Sequence, residues 1–305
     1  MISFLHIGLP KTGTTFLQEW LKLNSQILLR AGLTVVPSLS AHRFAVSALG
    51  EEFSDRPDIV DIRSQVTLDQ AIADVRQDGA IISSEYFSIA EPKSVLEIFR
   101  KAGLTIAKTI AYLRRQDILS AACYTQDIKA LGFYGVFDEV RYEKWQDFTL
   151  LKKNWSDVSQ EVHLLNYDHH KANLSKSFLA VLGAPNLPVI ELTQRFNVSL
   201  SAEMTEVARL LNLRQRPFSL QRLETIEGHY PGIPFGFSPQ ITASFEKLYR
   251  DSNRKLAQIY PGEFDSFATD MWESPGQDFT GRVSEDHLAD VLRYLYPEPG
   301  SADAA

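Results

Sequence analysis

The chain reads as a regular exchange between two hydrophobic periods. A short apolar run, Phe4, Leu5 and Ile7, is cut by Gly8 and Pro10. From Thr14 the residues Phe16, Leu17, Trp20, Leu21 and Leu28 share one helical face, which predicts a strand, a tight loop and then one helix from Thr14 to about Arg30, ended by Gly32. Further strands are predicted over Leu33–Pro37, from Ala80 to Phe87, from Leu104 to Leu113 and from Glu161 to Tyr167. Helices are predicted between and after them: 41–49, 68–77, 92–102 closed by Gly103, a long one after Arg115, 175–182 closed by Gly183, one capped by Ser201, 241–260 and 284–294. Residues 51–65, charged and carrying Pro57, read as an exposed excursion, and 213–237, with Arg214, Arg216, Arg222 and several glycines and prolines, as a lid or substrate loop.

Strands that alternate with helices argue for a parallel sheet covered on both faces. The expected architecture is a single P-loop-NTPase-like three-layer α/β/α domain over 1–295, with about five parallel strands and extra C-terminal helices. Residues 296–305 read as a disordered tail.

The first loop carries the strongest chemical signal. A strand, a glycine loop and a helix N-terminus aim several backbone N–H groups at one spot, and the helix dipole favours an anion there. Gly8 and Gly13 keep the glycine spacing of a Walker A motif, but Thr14 stands where that motif has its lysine, and the one cation, Lys11, lies inside the loop. Thr12, Thr14 and Thr15 supply hydroxyls. No apolar run ending in Asp marks a Walker B partner for Mg²⁺, so the loop suits a phosphate-bearing donor other than Mg·ATP.

Two later strand exits carry polar groups. Ser83-Ser84-Glu85 follows the third strand, and in open α/β sheets ligands sit beyond the carboxyl ends of strands. Arg114-Arg115 ends the fourth strand, where guanidinium forks match a phosphate, and Ser120 follows on the next helix. His6, inside the first strand, reads as a structural histidine. Asp168, His169 and His170 have no third partner at a metal-ligand spacing, and we expect no metal. The aromatics Phe137, Tyr142, Trp145, Phe148 and Trp155 read as core rather than as a substrate platform.

Pro10-Lys-Thr-Gly-Thr-Thr15 after an N-terminal strand resembles the 5′-phosphosulfate loop of sulfotransferases that use PAPS (3′-phosphoadenosine 5′-phosphosulfate), and the Arg114 segment resembles their 3′-phosphate signature. The spacing there is shorter than the family's usual one, and Arg115 stays open beside Arg114. The resemblance implies PAPS as cosubstrate and PAP as product, without a metal. Lys11 would meet the charge growing on the departing phosphate. Thr12, Gly13, Thr14 and Thr15 would hold the 5′-phosphate, and Arg114 and Ser120 the 3′-phosphate. Arg195 would lie in a basic loop that closes over the nucleotide. The acceptor's base would be Glu85 or His42, since the family uses either residue type. The acceptor would be a small molecule or glycan bearing a hydroxyl or amine. The alternatives are a P-loop nucleotide kinase or NTPase, and a non-catalytic PAP-binding protein.

Composition narrows the setting. The net charge of −7 argues against a nucleic-acid partner and leaves an anionic donor to local cations. The lone Cys123 excludes an intramolecular disulfide and fits a reducing compartment. No apolar run is long enough for a membrane span and no signal-peptide pattern opens the chain, so a cytoplasmic protein is expected. The sequence is silent on oligomeric state.

Overall fold

The computed structural model describes residues 1–137, 146–193, 200–229, 232–274, 276, 291–293 and 295–296. They form two compact units, each assembled from three chain segments. The first comprises Met1–Arg114, Asp147–Phe196 and Ser252–Ala268; the second comprises Arg115–Gln146, Asn197–Asp251 and Thr269–Ala305.

The first unit is an α/β fold around five parallel strands, as the alternating pattern predicts. Strands β1 (Ile2–Ile7), β2 (Thr34–Val35), β3 (Ala80–Ser84), β4 (Thr105–Leu113) and β5 (Glu161–Asn166) lie in the order β2-β3-β1-β4-β5. Every adjacent pair is parallel, with His6 opposite Ser83 and Ile7 opposite Ser84.

Helices cover both faces. Helices α1 (Thr14–Leu23) and α2 (Ser25–Arg30) lie between β1 and β2. Their Leu17, Trp20, Leu21 and Leu28 pack with Ile81, Ile110 and Tyr112 of the sheet and with Phe178 and Leu179 of the helix Leu174–Leu182. On the opposite face lie α3 (Ser38–Val46), α4 (Pro57–Gln65), α5 (Leu68–Val75) and α6 (Pro92–Lys101). There α3 packs on β3 and α6 on β4, and the rings of Phe44, Phe87 and Phe99 interlock at 5.2 and 6.3 Å. Side chains alternate across a strand, so Leu5 and Ile7 serve this second face while Phe4 and His6 serve the first.

The strand order fixes where a ligand can reach. The chain leaves β1 toward one edge of the sheet and leaves β3 toward the other. Right-handed crossovers then put the two connections on opposite faces. The crevice opens where neighbouring strands part in this way, at the carboxyl ends of β1 and β3.

Two expectations are corrected here. The long first helix is broken at Asn24, which is fully buried. Its amide donates to the Trp20 and Ile190 carbonyls at 3.0 Å each and accepts from the Ile190 N–H at 2.7 Å, a tertiary tie that periodicity does not reveal. The excursion at 51–65 contains α4, which starts at Pro57 because proline fits the first helical position, and buries Ile59 and Ile62.

In the second unit, α7 (Gln116–Leu131) ends at Gly132 with a left-handed φ of 67°. The helix Ala202–Leu213 is capped by the Ser201 hydroxyl, which accepts from the Met204 N–H, as expected. Part of 213–237 is the helix Leu220–His229 rather than loop. An aromatic core joins Phe237, Phe245, Tyr249 and Trp272 to Ala121. Phe148 and Trp155, in the first unit, are buried, as the core reading expected, whereas Tyr142 and Trp145 lie outside the described residues. Most of the helix expected at 284–294 and the tail after Tyr296 lie outside them too. Among the described residues no helix is long and apolar enough to cross a membrane.

Candidate functional site

The β1–α1 loop occupies the crevice. The Gly8 N–H donates to the Ser84 carbonyl at 3.2 Å, which ties the loop to the exit of β3. A Cβ on Gly8 would meet Thr14 Cγ2 at 2.6 Å, so only glycine lets the loop fold this tightly over the start of α1. Gly13 takes the N-cap position with φ 79° and offers no side chain to the first-turn N–H groups of α1. The positive end of α1 is therefore presented bare of a capping side chain, as an anion cradle requires.

Lys11 adopts φ 60°, one of two non-glycine residues with positive φ among those described. Left-handed backbone costs a residue with a Cβ about 1–2 kcal/mol. That strain survives only where the surroundings impose it, and such residues cluster at working sites. The Thr12 side chain is buried and its hydroxyl donates to the Leu9 carbonyl at 2.8 Å. The Thr12 hydroxyl is thus engaged within the loop itself. The Thr14 hydroxyl lies 3.4 Å from the same carbonyl, and Thr15 is exposed.

Glu85 and His42 meet beside this loop. His42 Nδ1 is 2.9 Å from the Ser84 hydroxyl and 3.7 Å from Glu85 Oε2. The His42 ring sits edge-on to Tyr86 at 5.6 Å, and the Tyr86 hydroxyl donates to Asp58 Oδ2 at 2.9 Å. Burial lowers the His42 pKa and the Glu85 carboxylate opposes that only in part, so the ring is neutral at pH 7. Glu85 is 48% exposed. Gln18, one turn into α1 beyond Thr14, reaches across to Glu85 Oε2 and to the Ser83 carbonyl, each at 3.4 Å.

Below the loop, His6 is fully buried, with Nδ1 2.8 Å from the Ser83 hydroxyl and its ring edge-on to Phe178 at 5.8 Å. Burial pushes its pKa from 6.5 down to about 3. The unfolded chain binds a proton here below about pH 6.5 and the folded chain does not, so acid favours unfolding. Between pH 7 and about pH 4.5 this one group should lower the unfolding free energy by about 2–3 kcal/mol. Urea titrations at the two pH values check this: His6→Asn should flatten the difference, and an equally steep loss in that variant would assign it elsewhere.

Arg114, at the end of β4, donates from Nε to Asp168 Oδ2 at 3.2 Å and lies over the Tyr167 ring at 5.5 Å. The same tyrosine lies against the loop: a Cβ on Gly13 would meet Tyr167 Cε2 at 3.0 Å and Leu174 Cδ2 at 2.8 Å. Tyr167 thus links the Lys11 loop to Arg114 at the carboxyl ends of β1, β4 and β5. Sequence reading passed over it because an aromatic residue at a strand exit has no signature of its own.

Arg115 belongs to the second unit and is engaged there. It donates to both Asp117 oxygens at 2.7 and 2.8 Å and to the Glu273 carbonyl at 2.7 Å, and it lies over Trp272 at 4.8 Å. Of the two arginines, Arg114 makes the fewer and longer bonds. Ser120 is also in the second unit, fully buried, with its hydroxyl accepting from Gln146 Nε2 at 2.5 Å. Arg195 lies outside the described residues. Among the described residues no cluster of His, Cys, Asp or Glu has a metal-binding arrangement.

No protein-family model matches the chain. An uncharacterized protein of Archaeoglobus fulgidus is 27% identical over 201 residues, which is 61% of this chain and 55% of that protein. The chain therefore spans about half the length of the curated relative it matches. Among solved structures, a sulfotransferase from Alicyclobacillus acidocaldarius is similar over 72% of this chain and 98% of its own, at 15% identity and a TM-score of 0.40. A likeness of that size carries no argument about function, which has to come from the residues of this chain.

Proposed function

We propose that this protein is a sulfotransferase that moves the sulfuryl group of PAPS to a hydroxyl or amine acceptor. The observation that carries the reading is that Tyr167 packs against Gly13 of the Lys11 loop and under Arg114, so the glycine cradle and the strand-end arginine flank one ring, an arrangement that suits a donor with a phosphate at each end. The reading uses residues of the first unit alone. The uncapped N-terminus of α1 suits a phosphate, and the loop that presents it requires glycine at 8 and 13, where a Cβ would meet Thr14, Tyr167 and Leu174.

The chemistry is one of positioning and charge. The acceptor oxygen or nitrogen forms a bond to sulfur as the bond from sulfur to the bridging oxygen of the 5′-phosphosulfate breaks, and PAP leaves with that electron pair. Lys11 and the N–H groups at the start of α1 stabilise the charge that grows on the leaving oxygen. The acceptor's proton goes to a base. Glu85 suits that role better than His42, since its carboxylate is half-exposed beside the loop while the His42 ring is largely buried. His42 then shapes the field at Glu85 from 3.7 Å.

The test is transfer of label from PAPS across a panel of sugars, phenols and amines, alongside thermal shifts with PAP and with Mg·ATP. Stabilisation by PAP together with label transfer is the expected result. Stabilisation by Mg·ATP and not by PAP would replace this reading with a P-loop kinase or NTPase, and PAP binding without transfer to any acceptor would leave a nucleotide-binding protein.

A further inference from the structure

Asp168 holds two cations at once. Its Oδ2 accepts from Arg114 Nε at 3.2 Å and its Oδ1 from Lys171 Nζ at 3.0 Å. Burial works against the carboxylate, yet Arg114 and Lys171 hold it below the usual range, so it is ionised at neutral pH. Neither cation is firmly engaged. Arg115 grips Asp117 with two short bonds, whereas Arg114 gives Asp168 one long one, and Lys171 is 55% exposed. Arg114, Lys171 and Asp168 together carry one positive charge, and the neighbouring carboxylate, Glu263, is taken up by the Asn166 N–H and His170 Nε2. It adjoins the cradle, since Tyr167 lies under Arg114 and against Gly13.

We propose that Asp168 is a resident stand-in for a phosphate, occupying Arg114 and Lys171 until the 3′-phosphate of the nucleotide displaces it, and that Lys171 is a further ligand of that phosphate. This rests on the reading of the site as a PAPS site. A phosphate offers more charge and more acceptor oxygens than a carboxylate, and a guanidinium fork donates to two of those oxygens at once. The displaced carboxylate then stands as a like charge beside the phosphate, so it lowers affinity. It also keeps the two cations from collapsing onto other partners. Removing its charge should therefore tighten nucleotide binding, against the usual result of deleting an ion-pair partner.

Isothermal titration of PAP and of adenosine 5′-monophosphate, which lacks the 3′-phosphate, separates this from a purely structural ion pair. Asp168→Asn should bind PAP about tenfold more tightly, and Lys171→Ala about tenfold more weakly, with the monophosphate unchanged in both. Lys171→Arg should restore PAP affinity. Unchanged or weaker PAP binding by Asp168→Asn, in a wild type that binds PAP, overturns the stand-in role and leaves the donor assignment intact. A wild type that binds no PAP overturns both. If Asp168→Asn loses its cooperative melt, the exposed Lys171 decides: equal losses for PAP and the monophosphate in Lys171→Ala would refute a 3′-phosphate contact.

Discussion

Lys11→Ala is expected to lower the turnover number for sulfuryl transfer by about 10³-fold, since one donor aimed at a developing anion is worth about 10²–10³ in rate. The loss should fall on turnover more than on PAP affinity, because the charge Lys11 meets is largest as the bond to sulfur breaks. Stability supplies an independent check. Lys11 sits at φ 60° and alanine keeps the Cβ that makes this conformation costly, whereas glycine does not. Lys11→Gly should be as inactive as Lys11→Ala yet more stable by about 1 kcal/mol, after allowing for glycine's extra freedom in the unfolded chain. Urea unfolding of the two variants measures that difference. Equal stabilities would mean the backbone relaxes once the lysine is gone, and retained turnover in both would remove Lys11 from the chemistry.

Glu85→Gln has the second largest expected effect. A positioned general base contributes about 10²–10⁴ in rate, and glutamine keeps the shape and the hydrogen-bond acceptor while losing the basicity. Turnover should fall by about that factor with PAP affinity nearly unchanged, because the proposed role of Glu85 is toward the acceptor and its negative charge binds no phosphate. His42→Asn should be far milder, about tenfold or less, if the ring only tunes its neighbour. A pH–rate profile discriminates further: its acid limb should persist in His42→Asn. Loss of the limb there would make His42 the base, and its lowered pKa would then place the acid limb below the ordinary histidine value.

Much of this site was legible along the chain because its parts are local. Glycines at 8 and 13 around Lys11, between an apolar run and a helical face, announce a strand, a loop and a helix start without any tertiary knowledge. The polar exit of β3 and the arginines at the exit of β4 are equally local, and the sheet that forms is the parallel one that alternation demands. The errors came where a tertiary tie overrode a periodic pattern or where a short helix carried too few apolar residues to show one. Asn24 breaks a periodic helix through the backbone of residue 190, and Pro57 starts a helix whose apolar face was sparse in sequence.

The sequence by itself determined the alternation of strands and helices, the glycine loop ahead of the first helix and the polar and charged residues at the strand exits, because backbone propensity and hydrophobic period act over a few residues. Only the tertiary structure decided which of those residues come together. Strand order put β3 rather than β2 beside β1, and so brought Glu85 and His42 to the loop. Packing placed Tyr167 between Gly13 and Arg114, engaged Arg115 elsewhere, and set Asp168 between two cations. Those choices depend on contacts between residues far apart in the chain, and no local pattern encodes them.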